Sequence, residues 1–363
     1  NTKFLPETQF VNLSFKKIKT NIQNSNISGY ANFLKKKTST FYIDTYKDNL
    51  FLFYKNGESY YSNIDGINES GLNLNKIKNN LKNISISDIL INNSKIYVTG
   101  SLKIDENCNK FSVYESNIDF KIFEFTEIFQ DPNCYGFIQG GRVQYHSKDN
   151  SILVSTAADI LKNQIDQKPQ DVNSLMGKII KINLDNVRDY EIYSSGHRNP
   201  QGITKVKEKI FATEHGPRGG DEINLIIENK NYGWPIVAYG PTYKKDYKKY
   251  FLKSHKSFEE PLLAFAPSIG ISDIEYYDKK LLNRWTGDLL VASMKNNTGM
   301  TQLLNPGLSL YRIKINKDKD KIIYQEKIFI GDRIRDIEIL DNGLIFIVTE
   351  EDPSIYKINK FWL

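Results

Sequence analysis

Apolar and polar residues alternate over short segments throughout the chain, which is the pattern of half-buried β-strands. Clear examples are KFSVYESN (110–117), GKIIKINL (177–184), LSLYRIKI (308–315) and SIYKINK (354–360). Long amphipathic segments with a helical period are nearly absent. The pattern therefore predicts an all-β protein.

A longer motif recurs along the sequence. Each copy is a short strand that ends in an apolar residue, a polar turn, and a strand of β-branched and aromatic residues. The copies begin at Ile86, Gly140, Pro200, Ile271 and Ile334, and a weaker one lies near Tyr30. Two more strands follow most copies, so the repeat predicts a six-bladed β-propeller with four-stranded antiparallel blades. A two-domain β-sandwich is the alternative, but it does not explain the recurring motif.

We expect residues 1–363 to form a single propeller domain, with the segment TQFVNLSFKKI (8–18) completing the last blade. In a propeller, the loops that enter the innermost strands meet at one end of the axis. Residues that lie far apart in the sequence are therefore expected to share one central pocket.

Composition excludes several classes of protein. The chain is 40% hydrophobic and 12% aromatic, which is ample for a large core and too apolar for disorder. The net charge of +6 arises from lysines scattered among acids, as on a solvated surface. The basic and aromatic stretch at 243–256 is interpreted as a lysine-rich loop, so no nucleic-acid partner is expected. No apolar run reaches 18 residues, so no membrane span is expected.

The two cysteines, Cys108 and Cys134, are too few to form a zinc site by themselves. A disulfide closing this loop would stabilise the fold by about 3 kcal/mol. Two separate buried thiols are an equally acceptable interpretation. The first residue is Asn1 rather than Met, which is consistent with the removal of an export signal or with a trimmed chain.

Basic residues occur beside several of the predicted innermost strands. They are Arg142, Arg198 (followed by Asn199), Lys295, Arg333 and Arg335. Each alone could form an ordinary salt bridge at the rim. Together, at one end of one ring, they suit a ligand with several negative charges, because guanidinium groups bind carboxylates bidentately.

The stretch ATEHGPRGGDE (212–222) has the composition of an oxygen-rich loop. Gly216 and Pro217 force a turn that directs backbone carbonyls outward, and Asp221 and Glu222 add carboxylates. Tyr232 follows ten residues after Glu222. Mixed carbonyl and carboxylate oxygens suit calcium. A loop that holds no metal explains the same residues equally well.

Six segments carry a resemblance to a known family: FIQGGR (137–142), GHRNPQG (196–202), ATEHGPRGGDEINLI (212–226), NYGWP (231–235), APSIG (266–270) and RIRDI (333–337). They resemble the soluble sugar dehydrogenases that depend on pyrroloquinoline quinone (PQQ), the glucose/sorbosone dehydrogenase family. The resemblance is specific from about residue 137 onward and faint before it. Members of this family are six-bladed propellers, in agreement with the repeat.

The resemblance implies residue roles. Arg198, as a catalytic residue, and Asn199 would lie beside the quinone and the sugar. The residues implied to hold PQQ, a tricarboxylate, are Ser268, which would hydrogen-bond the cofactor, and Lys295, Arg333 and Arg335, which would pair with its carboxylates.

Four further positions match metal sites of the family. The carbonyls of Gly216 and Pro217 would hold the calcium ion that polarises the quinone. Glu222 and Tyr232 match positions that bind a second, structural calcium ion.

The sequence departs from the family at Ile138. The family has a histidine there, the general base that takes the proton of the sugar hydroxyl, and isoleucine cannot accept a proton. General base catalysis is typically worth about 10²–10⁴-fold in rate. A family glutamine before the second unit is at best Asn83 here. Of the four histidines, His215 is nearest to a position from which it could substitute.

The predicted function is PQQ- and calcium-dependent oxidation of aldose sugars, by hydride transfer from the sugar to the quinone, impaired by the missing base. The sugar and the electron acceptor are not specified by the sequence, and the periplasm or the cell exterior is the expected location. The alternative is a non-catalytic propeller that binds a carbohydrate or a protein partner. The persistence of Lys295, Arg333 and Arg335 favours cofactor binding.

Overall fold

The computed structural model describes residues 13–19, 40–67, 71–158, 167–217, 219–240, 255–296, 306–350 and 354–360. Most of the lysine-rich stretch, residues 243–254, and residues 30–39 of the weak first repeat lie outside these ranges. The described part contains strands and one 3₁₀ turn, Lys168–Gln170, but no α-helix. Accordingly, it contains no helix long and apolar enough to cross a membrane.

The strands are numbered in chain order. The first thirteen are β1 (Leu13–Lys19), β2 (Phe41–Tyr46), β3 (Asn49–Tyr54), β4 (Ser59–Asn63), β5 (Asn75–Asn79), β6 (Ile84–Asn92), β7 (Lys95–Lys103), β8 (Asn109–Asn117), β9 (Ile122–Phe123), β10 (Thr126–Gln130), β11 (Gly140–His146), β12 (Ser151–Thr156) and β13 (Lys178–Asn183). The others are β14 (Tyr190–Ser195), β15 (Pro200–Val206), β16 (Lys209–Glu214), β17 (Asp221–Ile226), β18 (Lys230–Asn231), β19 (Leu263–Phe265), β20 (Ile271–Tyr277), β21 (Asp288–Ser293), β22 (Ser309–Ile315), β23 (Ile322–Phe329), β24 (Ile334–Ile339), β25 (Ile345–Thr349) and β26 (Ser354–Lys360).

These strands form six sheets, which confirms the six-bladed propeller and rules out the β-sandwich. From the innermost strand outward the blades are β2-β3-β4-β5-β9, β6-β7-β8-β10, β11-β12-β13-β14-β18, β15-β16-β17-β19, β20-β21-β22-β23 and β24-β25-β26-β1, here called blades 1 to 6. Four blades have the expected four strands. Blades 1 and 3 gain a short fifth strand that pairs in parallel, β9 beside β5 and β18 beside β14.

The ring is closed by the N-terminal strand, as the sequence predicts. β1 pairs antiparallel with β26, in register from Leu13 opposite Lys360 to Lys19 opposite Ser354. Ile18 of β1 is fully buried in the core between blades 6 and 1. The two ends of the described chain are therefore held in one blade.

The hydrophobic core is divided among the six interfaces between adjacent blades, one cluster to each. Between blades 1 and 2, for example, Phe53 and Ile86 pack with Phe123 of β9. Each fully buried side chain of this size contributes roughly 1.5–3 kcal/mol. The alternating strand pattern arises from this arrangement, because apolar residues face the neighbouring blades.

The innermost strands, β2, β6, β11, β15, β20 and β24, surround the axis, and each contacts the innermost strand of both neighbouring blades. Gly202 of β15 allows a close approach to β20, because a Cβ atom there would lie 2.7 Å from the backbone nitrogen of Ile274. Four of the five clear repeat motifs begin at the first residue of an innermost strand. We call the end of the axis at which these strands begin the upper end, and the other the lower end.

A disulfide joins Cys108 and Cys134, which decides between the two interpretations of the cysteines. It ties the start of β8 to the segment that leads into β11. An isolated bridge between Asn109 and Tyr135 reinforces the same connection. The loop before blade 3 is thereby fixed at the upper end.

Candidate functional site

The upper end brings together the residues that the sequence singles out for an anionic ligand. Arg198 and Asn199 precede β15, Ser268 precedes β20, Lys295 follows β21, and Arg333 and Arg335 lie at the start of β24. They come from blades 4, 5 and 6, and the shared geometry of the innermost strands places them at one end of the axis.

A chain of amide hydrogen bonds crosses this end. Arg335 Nη1 donates to Gln201 Oε1 (3.2 Å), Gln201 Nε2 donates to Asn199 Oδ1 (2.9 Å), and Asn199 Nδ2 donates to Gln139 Oε1 (3.3 Å). The chain links blade 6 through blade 4 to the loop before blade 3. Neither glutamine is predicted from the sequence as a site residue, although Gln139 lies in FIQGGR and Gln201 in GHRNPQG.

Glu350 is a third residue of the upper end that the sequence did not predict. Its carboxylate accepts from Arg335 Nε (2.6 Å) and from Arg333 Nη2 (3.2 Å), and Thr40 Oγ1 donates to it (3.1 Å). Burial disfavours the ionised form of Glu350, but Arg335 and Arg333 outweigh that effect and lower its pKa to about 2. Both guanidinium groups are thus oriented by one buried carboxylate, which offsets part of their charge.

Arg198 is held by its backbone and its side chain. Its backbone nitrogen donates to Glu214 Oε1, and its Nη1 donates to the carbonyl oxygen of His215 (2.9 Å). Its guanidinium lies 5.3 Å from the ring of Trp234, a cation–π geometry. Glu214 Oε2 also contacts His197 Nδ1 (3.0 Å), so one buried carboxylate fixes two consecutive residues before β15.

Ser268 and Lys295 lie beside each other at the start of blade 5, since the backbone nitrogen of Lys295 donates to the carbonyl oxygen of Ile269 (2.9 Å). The Oγ atom of Ser268 is buried and has no hydrogen-bond partner among the described residues. Gly307 closes this corner, because a Cβ atom there would lie 1.9 Å from the carbonyl oxygen of Lys295. A buried unpaired hydroxyl is costly unless a ligand satisfies it.

The loop that contains Gly216 and Pro217 is anchored by Asp221. Asp221 Oδ1 accepts from the backbone nitrogen of Gly216 (3.1 Å), and Oδ2 accepts from those of Gly270 (2.7 Å) and Ile271 (3.1 Å). The loop is thereby joined to the start of β20. In the described part of the chain, no three His, Cys, Asp or Glu side chains are grouped as metal ligands.

Glu222 and Tyr232 lie near this loop but face different surroundings. Burial, and the nearby carboxylate of Glu214, raise the pKa of Glu222 to about 8. The hydroxyl of Tyr232 donates to the carbonyl oxygen of Leu225 (2.5 Å) and accepts from the backbone nitrogen of Ile227 (3.0 Å). Asn224 Nδ2 donates to Glu222 Oε2 (3.3 Å), and Arg198 also lowers the pKa of Glu222, but burial outweighs both.

The sequence profile of glucose / sorbosone dehydrogenases matches residues 33–357 of this chain. The chain belongs to the glucose/sorbosone dehydrogenase family. The match extends well upstream of residue 137, where the sequence motifs are faint.

Two curated relatives are similar to this chain over part of their length. Aldose sugar dehydrogenase YliI of Escherichia coli is 28% identical over 206 residues, which is 52% of this chain and 52% of that protein. Quinoprotein glucose dehydrogenase B of Acinetobacter calcoaceticus is 39% identical over 106 residues, 25% of this chain and 22% of that protein. The matched part thus spans about half the length, or less, of these relatives.

A solved structure supports the fold. The apo form of the soluble aldose sugar dehydrogenase of Escherichia coli superimposes with a TM-score of 0.75 at 19% identity, covering 96% of this chain and 100% of that one. At this identity the likeness concerns the fold alone.

Ile138, which the sequence predicts to match the family's base position, lies in the core. Its side chain is 7% exposed and packs in the cluster between blades 2 and 3, with residues such as Tyr135 and Val143. Its neighbour Gln139 faces the upper end through Asn199. Position 138 therefore contributes packing, and it presents no proton acceptor.

Arg142 does not join the cations of the upper end. Its Nη1 lies 2.6 Å from Asp336 Oδ1, 3.2 Å from Asp88 Oδ1 and 3.7 Å from Asp273 Oδ1, near the axis. The same aspartates accept backbone N–H groups from the next blade, as Asp88 Oδ2 does from Val143 (2.9 Å). The prediction that Arg142 joins the cations at the rim was wrong. Three buried aspartates hold its guanidinium group near the axis and compensate its charge.

Below Arg142 the axis opens into a cavity of about 260 Å³ at the lower end. The carboxylates that line it are Asp44, Asp88, Asp273, Glu275, Asp278, Asp336 and Glu338. Burial raises the pKa of Asp44 and of Asp88 to about 7, and that of Glu275 well above its usual range. Asp44, Asp88 and Glu275 therefore bind protons at a higher pH than exposed carboxylates do.

This cavity predicts a pH dependence of stability. A carboxyl group whose pKa is higher in the folded than in the unfolded state contributes to stability at low pH. That contribution to the free energy of unfolding is lost as the pH rises through the folded-state pKa. We expect Glu275→Gln, a neutral isostere, to lose less thermal stability than the wild type between pH 5 and pH 8. Thermal midpoints at four pH values measure this, with exposed Asp318→Asn as the control. Parallel curves for the wild type and Glu275→Gln would contradict it.

Proposed function

We propose that this protein oxidises aldose sugars with PQQ and calcium, as a member of the glucose/sorbosone dehydrogenase family. The observation that carries the proposal is the arrangement at the upper end. Four cationic residues, Arg198, Lys295, Arg333 and Arg335, lie at this end, together with a buried serine hydroxyl without a described partner. This set suits a ligand with several carboxylates.

The residues present fit the cofactor. Lys295, Arg333 and Arg335 would pair with the PQQ carboxylates, and the orphaned Oγ atom of Ser268 would hydrogen-bond it. Arg198 and Asn199 would orient the quinone and the sugar, held as they are by His215 and Gln139. Bound PQQ supplies the two-electron acceptor. The name quinoprotein, borne by the Acinetobacter relative, supports a quinone cofactor.

Calcium is proposed at two places. The carbonyls of Gly216 and Pro217 would hold the ion beside the cofactor, on a loop that Asp221 anchors. Glu222 would bind the structural ion, because a buried carboxylate with a raised pKa gains most from a nearby cation. Tyr232 would contribute through its carbonyl oxygen, since its hydroxyl is occupied.

The substrate proposed is an aldose sugar, and the electron acceptor is left unspecified. The names of both curated relatives refer to a sugar or to glucose. The periplasm or the cell exterior is the proposed location. The disulfide between Cys108 and Cys134 supports it, because such bonds persist in oxidising compartments.

The cofactor hypothesis predicts that Arg335→Ala weakens PQQ binding about 10- to 150-fold. The variant loses a charge-assisted hydrogen bond worth about 1.5–3 kcal/mol. Calorimetry with PQQ and calcium measures the affinity, and the absorbance of the bound quinone identifies the complex. Arg188→Ala, at an exposed arginine outside the site, is the control and should bind like the wild type.

A non-catalytic binding propeller is the second candidate. The observation that favours it is Ile138, whose side chain is packed in the core where the family has a base. Sugar-dependent dye reduction by the wild type, loaded with PQQ and calcium, separates the two functions. Wild-type protein that binds no PQQ in the presence of calcium would overturn the dehydrogenase proposal and leave the binding propeller.

A further inference from the structure

A lysine that no motif singled out lies at the upper end. Lys55 directly follows β3, and its backbone nitrogen donates to the carbonyl oxygen of Thr40 (3.0 Å). Its carbonyl oxygen accepts from the backbone nitrogen of Ile86 in β6 (2.9 Å). Lys55 is therefore fixed between the innermost strands of blades 1 and 2, opposite the blades that contribute Arg198 and Lys295.

The surroundings of Lys55 favour its neutral form. Crowding by protein atoms removes part of the hydration of its ammonium group, which lowers its pKa, and Arg335 lowers it further. Glu350 acts in the opposite direction, but its carboxylate is bound to Arg335 and Arg333. Lys55 is nevertheless exposed to solvent, so its side chain is accessible at the upper end.

The proposed reaction needs a proton acceptor. Oxidation of an alcohol carbon removes a hydride from carbon and a proton from oxygen. Glu350 is a poor acceptor because two arginines hold its pKa at about 2. Glu214 is bound to the backbone of Arg198 and to His197, and the Nε2 atom of His215 is buried.

We propose that Lys55 is the catalytic base of this site and takes the hydroxyl proton of the bound sugar. The proposal rests on the proposed function. In the step, the O–H and C–H bonds of the sugar break, its C=O bond forms, and a new N–H bond forms at Nζ. The two electrons leave with the hydride to the quinone cofactor, so atoms and charge balance.

The first test needs no cofactor. Protein without added PQQ is labelled with acetic anhydride from pH 6 to pH 10, and the modified lysines are quantified by peptide mass spectrometry. We expect Lys55 to react with a midpoint at lower pH than Lys82, an exposed lysine just before β6 at the same end. Equal midpoints for Lys55 and Lys82 would overturn the proposal.

The second test uses protein loaded with PQQ and calcium. Lys55→Met and Lys55→Arg should lower kcat about 10²–10⁴-fold, the usual worth of a positioned base. Both should keep the quinone absorbance and lose the rise of rate with pH that we expect of the wild type. Lys82→Met should match the wild type.

Other outcomes separate the hypotheses. Wild-type turnover in Lys55→Arg would mean that Lys55 acts through its charge, which overturns the base role and leaves the proposed function intact. Loss of PQQ binding in Lys55→Met would assign the residue to cofactor binding and also overturn the base role. A wild type that binds PQQ but oxidises no aldose would overturn the proposed function and the base role together.

Discussion

Replacing Arg142 with methionine is expected to lower the free energy of unfolding by about 3–5 kcal/mol at pH 7, the usual cost of breaking a buried ion pair. The variant leaves Asp88, Asp273 and Asp336 without their shared cation near the axis. Each of these carboxylates belongs to a different blade, so repulsion among them acts across the ring. Urea denaturation followed by tryptophan fluorescence measures the loss.

The pH dependence makes this prediction specific. The folded state of Arg142→Met can relieve repulsion by binding protons, so the loss should be smaller at pH 5 than at pH 8. Arg188→Met, at an exposed arginine, is the control and should change stability by no more than about 0.5 kcal/mol. A loss below about 1 kcal/mol at pH 8 would mean that Arg142 does not hold the axis together.

Removing the disulfide is expected to lower the free energy of unfolding by about 3–4 kcal/mol, from the loop-closure entropy of a bond between residues 26 apart in sequence. The double variant Cys108→Ser/Cys134→Ser and the wild type in reducing buffer should show similar losses. Because the bond anchors the segment that leads to Gln139, PQQ affinity should fall as well.

The single bridge between Asn109 and Tyr135 is the competing constraint on that segment. If this bridge alone holds the segment in place, reduction of the disulfide will change the free energy of unfolding by less than about 1 kcal/mol, and the prediction will be wrong. The oxidised wild type in the same buffer without reductant is the control.

Much of the fold was predictable because it depends on local sequence. Successive side chains of a strand point to opposite faces, so alternation of apolar and polar residues predicts strands. The number of repeat copies predicts the number of blades. The starts at Gly140, Pro200, Ile271 and Ile334 coincide with innermost strands, and β1 closes the ring as expected. The short fifth strands β9 and β18 were not predicted, because a strand of two residues is too short to show an alternation of apolar and polar residues.

The upper end was predictable in part. Motif positions placed Arg198, Asn199, Ser268, Lys295, Arg333 and Arg335 at one end of the axis, and the structure brings them there. Their roles toward PQQ, like those of Gly216, Pro217, Glu222 and Tyr232 toward calcium, stay predictions. Arg142 was misassigned, because the sequence shows its charge and not the three aspartates that surround it.

By itself, the sequence determined the architecture of this protein and the family to which it belongs. Both follow from patterns that neighbouring residues carry. Only the tertiary structure decided which charges compensate one another: Glu350 with Arg333 and Arg335, and Asp336 with Arg142, which lies 194 residues away. The physical reason is that ionic and hydrogen-bonding partners are chosen by proximity in space, and ring closure brings together residues from blades that are distant in sequence.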